Sequence, residues 1–308
     1  MPPGIGAGGF IGIALETVAG TYVPPTKYFP IESEGLSYTQ DVTFRRPIRQ
    51  TADQIGAVLG NAHVEGDIAM EFLEDAVVYF LHCARTTVVK AGTTPNFTYT
   101  FKGSAAALPT RTMSVTIVRN GQVFGYTGVV VGSFTINIDS GMLKFSCSLQ
   151  GRDEASQSVP TPTFSTTAPF GAGTYVASVA GATISDADTF TFTSDDGATA
   201  ENRLATTRGA AFIHYGERTV TCAMDRDFQD RVEYDAWKAL TAQAVNLTAS
   251  KGTNNQVIVD VPVGYKSEYA INLGGQGDLL RVSNSWTGVT DATGNAYTVT
   301  VKTQENIT

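Results

Sequence analysis

Cysteine is nearly absent from this 308-residue chain. Cys83, Cys147 and Cys222 form an odd, scattered set, which excludes a disulfide framework and fits a reducing compartment. Histidine is equally sparse: His63, His82 and His214 lie far apart with no Cys or carboxylate at ligand spacing, so no metal site is expected. No run of about 18 apolar residues occurs. The opening stretch MPPGIGAGGFIGIALE carries no basic residues, so neither a membrane span nor a secretory signal is expected. P-loop and nucleophile-elbow patterns are missing, and Gly4, Gly6, Gly8 and Gly9 do not make a dinucleotide loop because no strand precedes them. A flexible arm is expected there. Positive charge is also short. Lys and Arg number 21 against 29 Asp and Glu, a net charge of −8. Residues 1–155 carry −2 and residues 156–308 carry −6, so neither half offers the clustered cations that grip phosphate.

What is present is apolar and β-forming. With 42% apolar and 10% aromatic residues the chain is not disordered, and its length predicts about two compact units. A Ser-, Thr-, Pro- and Gly-rich stretch near the midpoint, residues 156–175, reads as a linker between domains at 1–155 and 176–308. Period-two alternation on both sides indicates antiparallel sheet. Thr112 to Val118 alternates up to an Asn120-Gly121 turn. Across a second turn at Asp139-Ser140-Gly141, Phe134, Ile136, Ile138, Leu143, Phe145, Cys147 and Leu149 form a core face, and Thr135, Asn137, Lys144, Ser146, Ser148 and Gln150 a wet one. Helical spacing occurs at about Glu71 to Arg85 and Asp227 to Gln243. The expected fold class is mainly β (β-rich α+β): two similar sandwich or barrel domains, each with one flanking helix.

The halves repeat. A shift of 156 places Val64, Ile68 and Phe72 on Val220, Met224 and Phe228, and a shift of 135 places FTINI (Phe134 to Ile138) on YAINL (Tyr269 to Leu273). LKFSCSLQG (Leu143 to Gly151) then matches LRVSNSWTG (Leu280 to Gly288), with Asn284 where Cys147 is core. Residues 86–109 have no counterpart.

Chemistry-bearing patterns are few. Asp225, Asp227 and Asp230 lack the turn glycine of a calcium loop and fit helix capping better, and the two glycosylation sequons at Asn96 and Asn246 have no secretory route. Carboxylate pairs for glycoside hydrolysis are not marked by any spacing. The strand before each helix carries an acidic or hydroxyl face, with Glu65, Asp67 and Glu71 in the first and Thr221, Asp225 and Asp227 in the second. Such a face is either plain solvent surface or a wall past which a polyanion moves without sticking. Arg45, Arg46 and Arg49, followed by TADQIGAVLGNA, suggest a long loop that touches a partner.

The order of these pieces, from GGFIGIALETVAGTY through RRPIRQTADQIGAVLG, HVEGDIAMEFLEDAVVYFLHCA and FTYTF to SVTIVRNGQVFGYTGVVVGSFTINIDSGMLKFSCSLQGRDEA, resembles the major tail tube proteins of long non-contractile-tailed bacteriophages (the siphophage type). The resemblance spans the whole chain and is clearest over residues 8–155. It implies a structural, non-enzymatic virion protein without a cofactor, assembled in the host cytoplasm into stacked rings that form a channel for genomic DNA. It also implies a tape-measure protein, a tail terminator and a distal tail protein as partners, and no membrane. If each half supplies one of six ring domains, three chains suffice. Glu65, Asp67, Lys144, Ser146, Ser148, Asp225, Arg281, Ser283 and Ser285 are then the expected lumen lining, with Lys144 and Arg281 paired to carboxylates. Arg45, Arg46 and Arg49 are the expected ring-stacking loop. The rival readings are a virion-surface or carbohydrate-binding β module, suggested by the Tyr, Trp and Asn around Tyr265 to Thr287, and a carboxylate-pair hydrolase.

Overall fold

The computed structural model of the chain describes residues 8–48, 53–104, 111–155, 157–204, 207–272, 275 and 277–307. Its first half contains β1 (Phe10–Leu15), β2 (Lys27–Phe29), β3 (Ser33–Glu34), β4 (Ser37–Phe44), β5 (Ala57–Glu71) and α1 (Glu74–His82). These are followed by β6 (Thr87–Thr93), β7 (Asn96–Ser104), β8 (Met113–Arg119), β9 (Gln122–Asp139), β10 (Met142–Gly151) and β11 (Asp153–Ala155). The second half contains β12 (Tyr175–Val179), β13 (Ala182–Ile184), β14 (Phe190–Asp195), β15 (Thr199–Glu201), β16 (Phe212–His214) and β17 (Thr219–Asp227). After α2 (Val232–Lys238) come β18 (Gln243–Ser250), β19 (Gln256–Asn272), β20 (Arg281–Gly288) and β21 (Asn295–Thr303). The fold is mainly β. Both hairpin turns form where Asn-Gly and Ser-Gly allow them: Asn120, Gly121, Ser140 and Gly141 have φ of 49°, 74°, 51° and 77°, the left-handed pair that suits strand twist.

One antiparallel sheet crosses the entire chain in the order β4–β5–β10–β9–β14–β17–β20–β19, with β3 on the same edge of β5 as β4. Two outer layers cover it, β2–β1–β8–β9–β11 and β6–β7–β21–β19–β18–β12–β13. The long strands β9 and β19 belong to both layers. Each leaves one and enters the other at a bulge, with Gly132 the extra residue opposite Ser148/Leu149 and Ser267 the extra residue opposite Ser285/Trp286. These bulges are 135 residues apart, the shift found between the hairpin sequences. The shift of 156 also extends beyond β5 and β17: Ser37 pairs Glu65 as Thr193 pairs Thr221, so residues 33–39 stand where residues 189–195 stand in the second copy. The crossing sheet is thus β4–β5–β10–β9 followed by its repeat β14–β17–β20–β19, joined edge to edge at β9–β14.

The unmatched residues 86–109 explain how the halves are held. They contain the hairpin β6–β7, whose Tyr99 lies opposite Val301 of β21, so a first-half hairpin completes a second-half layer. Beneath the β9–β14 junction, the buried Tyr297 ring meets Phe134 at 5.9 Å and Phe192 at 5.2 Å. Arg218, nearly buried, donates to the buried Asp196 carboxylate at 2.5 Å and to the carbonyls of Ser104 and Arg85 in the first half.

Along Thr112 to Val118, Ser114 and Thr116 are buried together with Met113, Val115 and Ile117, because the Glu16 carboxylate accepts from Ser114 at 2.8 Å and Tyr22 meets Thr116 at 2.7 Å. Within residues 156–175, Phe170 is buried against Phe72 and its carbonyl accepts from the Leu143 N–H. Two expectations are corrected. The Arg-rich loop is shorter than expected, because Ala57 to Ala62 continues β5 and pairs with β4. Finally, the helices differ. α1 starts later than expected because Glu71 pairs with Lys144 in the sheet, and its Ala76 to Leu81 are buried. α2 is short and buries nothing; Val232 is 70% exposed and Leu240, beyond its end, 63%.

Candidate functional site

In an antiparallel ladder, directly opposed residues point to the same side, so the registers define what each face of the crossing sheet presents. One face is core. The other carries Glu65, Asp67, Ala69 and Glu71 on β5, opposite Gln150, Ser148, Ser146 and Lys144 on β10. It continues with Ser133, Thr135 and Asn137 on β9, then Asp195, Thr193 and Thr191 on β14. Next come Thr219, Thr221, Ala223, Asp225 and Asp227 on β17, Thr287, Ser285, Ser283 and Arg281 on β20, and Glu268 and Ala270 on β19. All nine expected lining residues therefore share one surface that runs unbroken through both halves.

Its chemistry is hydroxyl and carboxylate. Thr135 and Thr193 hydroxyls meet at 3.0 Å across the junction, and Ser283 donates to Asp225 at 2.6 Å. The cations on it are neutralised locally: Lys144 lies 3.1 Å from both Glu32 and Asp139, and Arg281 pairs with Asp188. Unpaired carboxyl groups such as Asp67, Asp227 and Glu268 are left facing outward, so the surface repels phosphate over the ~8 Å that salt leaves unscreened. The three thiols are buried and burial pushes each pKa up, which leaves no accessible thiolate nucleophile among the described residues. Trp286 is buried with its indole N–H on Gln243. The largest aromatic near Tyr265 is thus core, not a sugar platform.

At one end of this surface, β4 and β5 extend past the sheet as a hairpin. Its exposed residues include Val42, Phe44, Val58 and Leu59. Arg45 and Arg46 sit at its end, where the Arg45 N–H still donates to the Gly56 carbonyl at 2.8 Å. Arg49 lies outside the described residues. The exposed apolar side chains were missed because Val and Leu in a strand sequence ordinarily signal core. Asp195 and the threonines of β14 were missed because their pairing with β9 is not written in either strand. The alternation in TFTFTSD (Thr189 to Asp195) was the available signal.

A strand-built polar surface with exposed edges fits an assembling wall. A family model described as phage tail tube protein matches residues 6–288, nearly the whole chain. The chain belongs to that family. Comparison with curated proteins found no match. As a phage tail tube protein, the chain is a structural component of the virion tail and works as one subunit of a multi-subunit tube. No helix among the described residues is long and apolar enough to cross a membrane.

Proposed function

We propose that three copies of this tail tube protein close a ring in which each chain supplies two tail-tube units, residues 1–155 and 176–308, connected through 156–175. Stacked rings form a channel lined by the polar face of the crossing sheet. The observation that carries the reading is the continuity of that face across both halves, with Glu65, Asp67, Lys144, Ser146, Ser148, Asp225, Arg281, Ser283 and Ser285 all on it. Three eight-stranded sheets make about 24 strands; at ~4.8 Å between strands and a tilt of roughly 35–45°, the backbone cylinder is about 45–50 Å across. Side chains then leave a bore wider than a DNA duplex. Genomic DNA passes without sequence-specific contact, because threonine, serine and outward carboxylates offer it no grip.

The β4–β5 hairpin is the ring-to-ring contact, with Phe44 and Leu59 supplying apolar area and Arg45, Arg46 and Arg49 reaching an acidic neighbour. The tape-measure protein, tail terminator and distal tail protein are the expected partners, and assembly takes place in the host cytoplasm. Cryo-electron microscopy of the tubes tests the reading. Threefold rings with an open bore support it; six chains per ring, a plugged bore or a lumen bounded by one half alone overturns it.

A further inference from the structure

The chain contains a template for its own contact with the next copy. Within it, the last strand of the first unit (β9) pairs with the first strand of the second (β14), and the registers fix every partner: Thr135↔Thr193, Phe134↔Ser194, Ser133↔Asp195. Each of these strands has an equivalent at a free end of the crossing sheet. β19 residues 268–271 pair only with β20, and β4 pairs only with β5, among the described residues. The bulges at Ser267 and Asp41 lie just outside the two edge segments. Ser37, Tyr38, Thr39 and Gln40 on β4, and Glu268, Tyr269, Ala270 and Ile271 on β19, include no proline and no lysine.

We propose that β19 of one chain adds antiparallel to β4 of the next with Ala270 opposite Ser37, Tyr269 opposite Tyr38 and Glu268 opposite Thr39. These pairs follow by applying the shifts of 135 and 156 to the β9–β14 register. The pairing begins at Ser37 because Gly35 and Leu36 leave strand geometry, the Leu36 carbonyl being taken by Arg119 at 2.6 Å. The two helices give a second, independent indication. At the internal junction the start of α1 is covered by the β18–β19 turn, where Lys251 and Asn255 bind the buried Glu74. Its equivalent α2 packs on β19 through Tyr234 and Trp237 against Tyr269, but no turn covers its start, where Val232 is exposed. The same rotation brings the neighbour's β8–β9 turn, Arg119 to Gln122, against the start of α2 at Asp230. Repeating one head-to-tail contact closes a ring when its rotation divides the circle, and the molecule already uses that contact once.

This inference rests on the tube reading and is tested on assembled tubes. The pair Ser37→Cys and Ala270→Cys is placed on separate chains, mixed, assembled and oxidised, with Ser37→Cys mixed with Glu268→Cys as the shifted control. Thr135→Cys with Thr193→Cys in one chain reports that oxidation works. Opposed positions on paired strands lie within the ~4.4–6.8 Å Cα separation a disulfide requires. The expected result is a disulfide dimer for the first mixture in non-reducing gels, at least tenfold above the shifted control. With both cysteines on one chain, the ladder ends at three chains. Tubes that form without this bond, or that favour the shifted pair, overturn the register and leave the tube reading intact. Absence of rings or tubes from wild-type chains overturns both.

Discussion

Arg218 and Asp196 show how one ion pair can lock two halves together. Both are almost removed from water, and Arg218 also ties to the carbonyls of Ser104 and Arg85 across the junction. Burial raises the Asp196 pKa and Arg218 opposes that rise, so removing the cation strands a buried carboxylate. Arg218→Ala is expected to cost about 3–5 kcal/mol in urea unfolding. A paired replacement with Asp196→Asn and Arg218→Met should cost less, because no lone charge is left. His82 gives a pH signature. Its ring is edge-on to Tyr99 and Phe101, and burial, with Arg111 and Lys90 adding, pushes its pKa down to about 4. The unfolded chain, with an ordinary value of about 6.5, therefore binds more protons than the native state between pH 6.5 and 4. Stability attributable to His82 is full above that window and falls as pH drops through it, by up to about 3 kcal/mol. His82→Gln should flatten the pH dependence of the urea midpoint relative to wild type; an identical slope would count against this assignment.

Two elements leave apolar side chains exposed, and each makes a separable prediction. The β4–β5 hairpin exposes Phe44, Val58 and Leu59 beside Arg45 and Arg46, as the proposed stacking contact requires. Replacing Arg45, Arg46 and Arg49 by Glu should leave thermal unfolding within about 0.5 kcal/mol of wild type, as surface changes do, yet stop tube growth in negative-stain micrographs. Tubes of ordinary length from that variant would dismiss the hairpin as the stacking contact. The proposed lateral contact makes a parallel test of helix α2. Val232→Asp touches nothing buried, so circular dichroism melts should not move, whereas ring formation followed by sedimentation should fall. In α1, by contrast, the apolar run Ala76 to Leu81 seals Val77 and Phe80 in the core.

Across the whole molecule, the acidic and hydroxyl surface, as the proposed lumen, needs only to avoid binding. Charge reversal of Asp67, Asp225 and Glu268 to Lys changes no core contact and should leave assembly in place. Tubes carrying it should retain duplex DNA at 50 mM salt and release it by 200 mM, the steep dependence expected of phosphate contacts, and virions carrying it should eject DNA more slowly. Equal retention by wild-type and reversed tubes would remove the proposed lumen from this face.

Much of this was legible in the sequence because alternation is a local property. Lys144, Ser146 and Ser148 fall on the wet side of β10 simply because side chains alternate along a strand, and the shared shifts of 135 and 156 already related β9 to β19 and β5 to β17. What local pattern cannot encode is which edge meets which. The β9–β14 junction, the hairpin β6–β7 completing a layer of the other half, and the uncovered start of α2 depend on pairings between residues far apart in the chain. Backbone hydrogen bonds are the same for every strand, so the choice among edges is made by the packing beneath them. Tyr297 between Phe134 and Phe192, and Arg218 on Asp196, supply that packing only once the chain has folded.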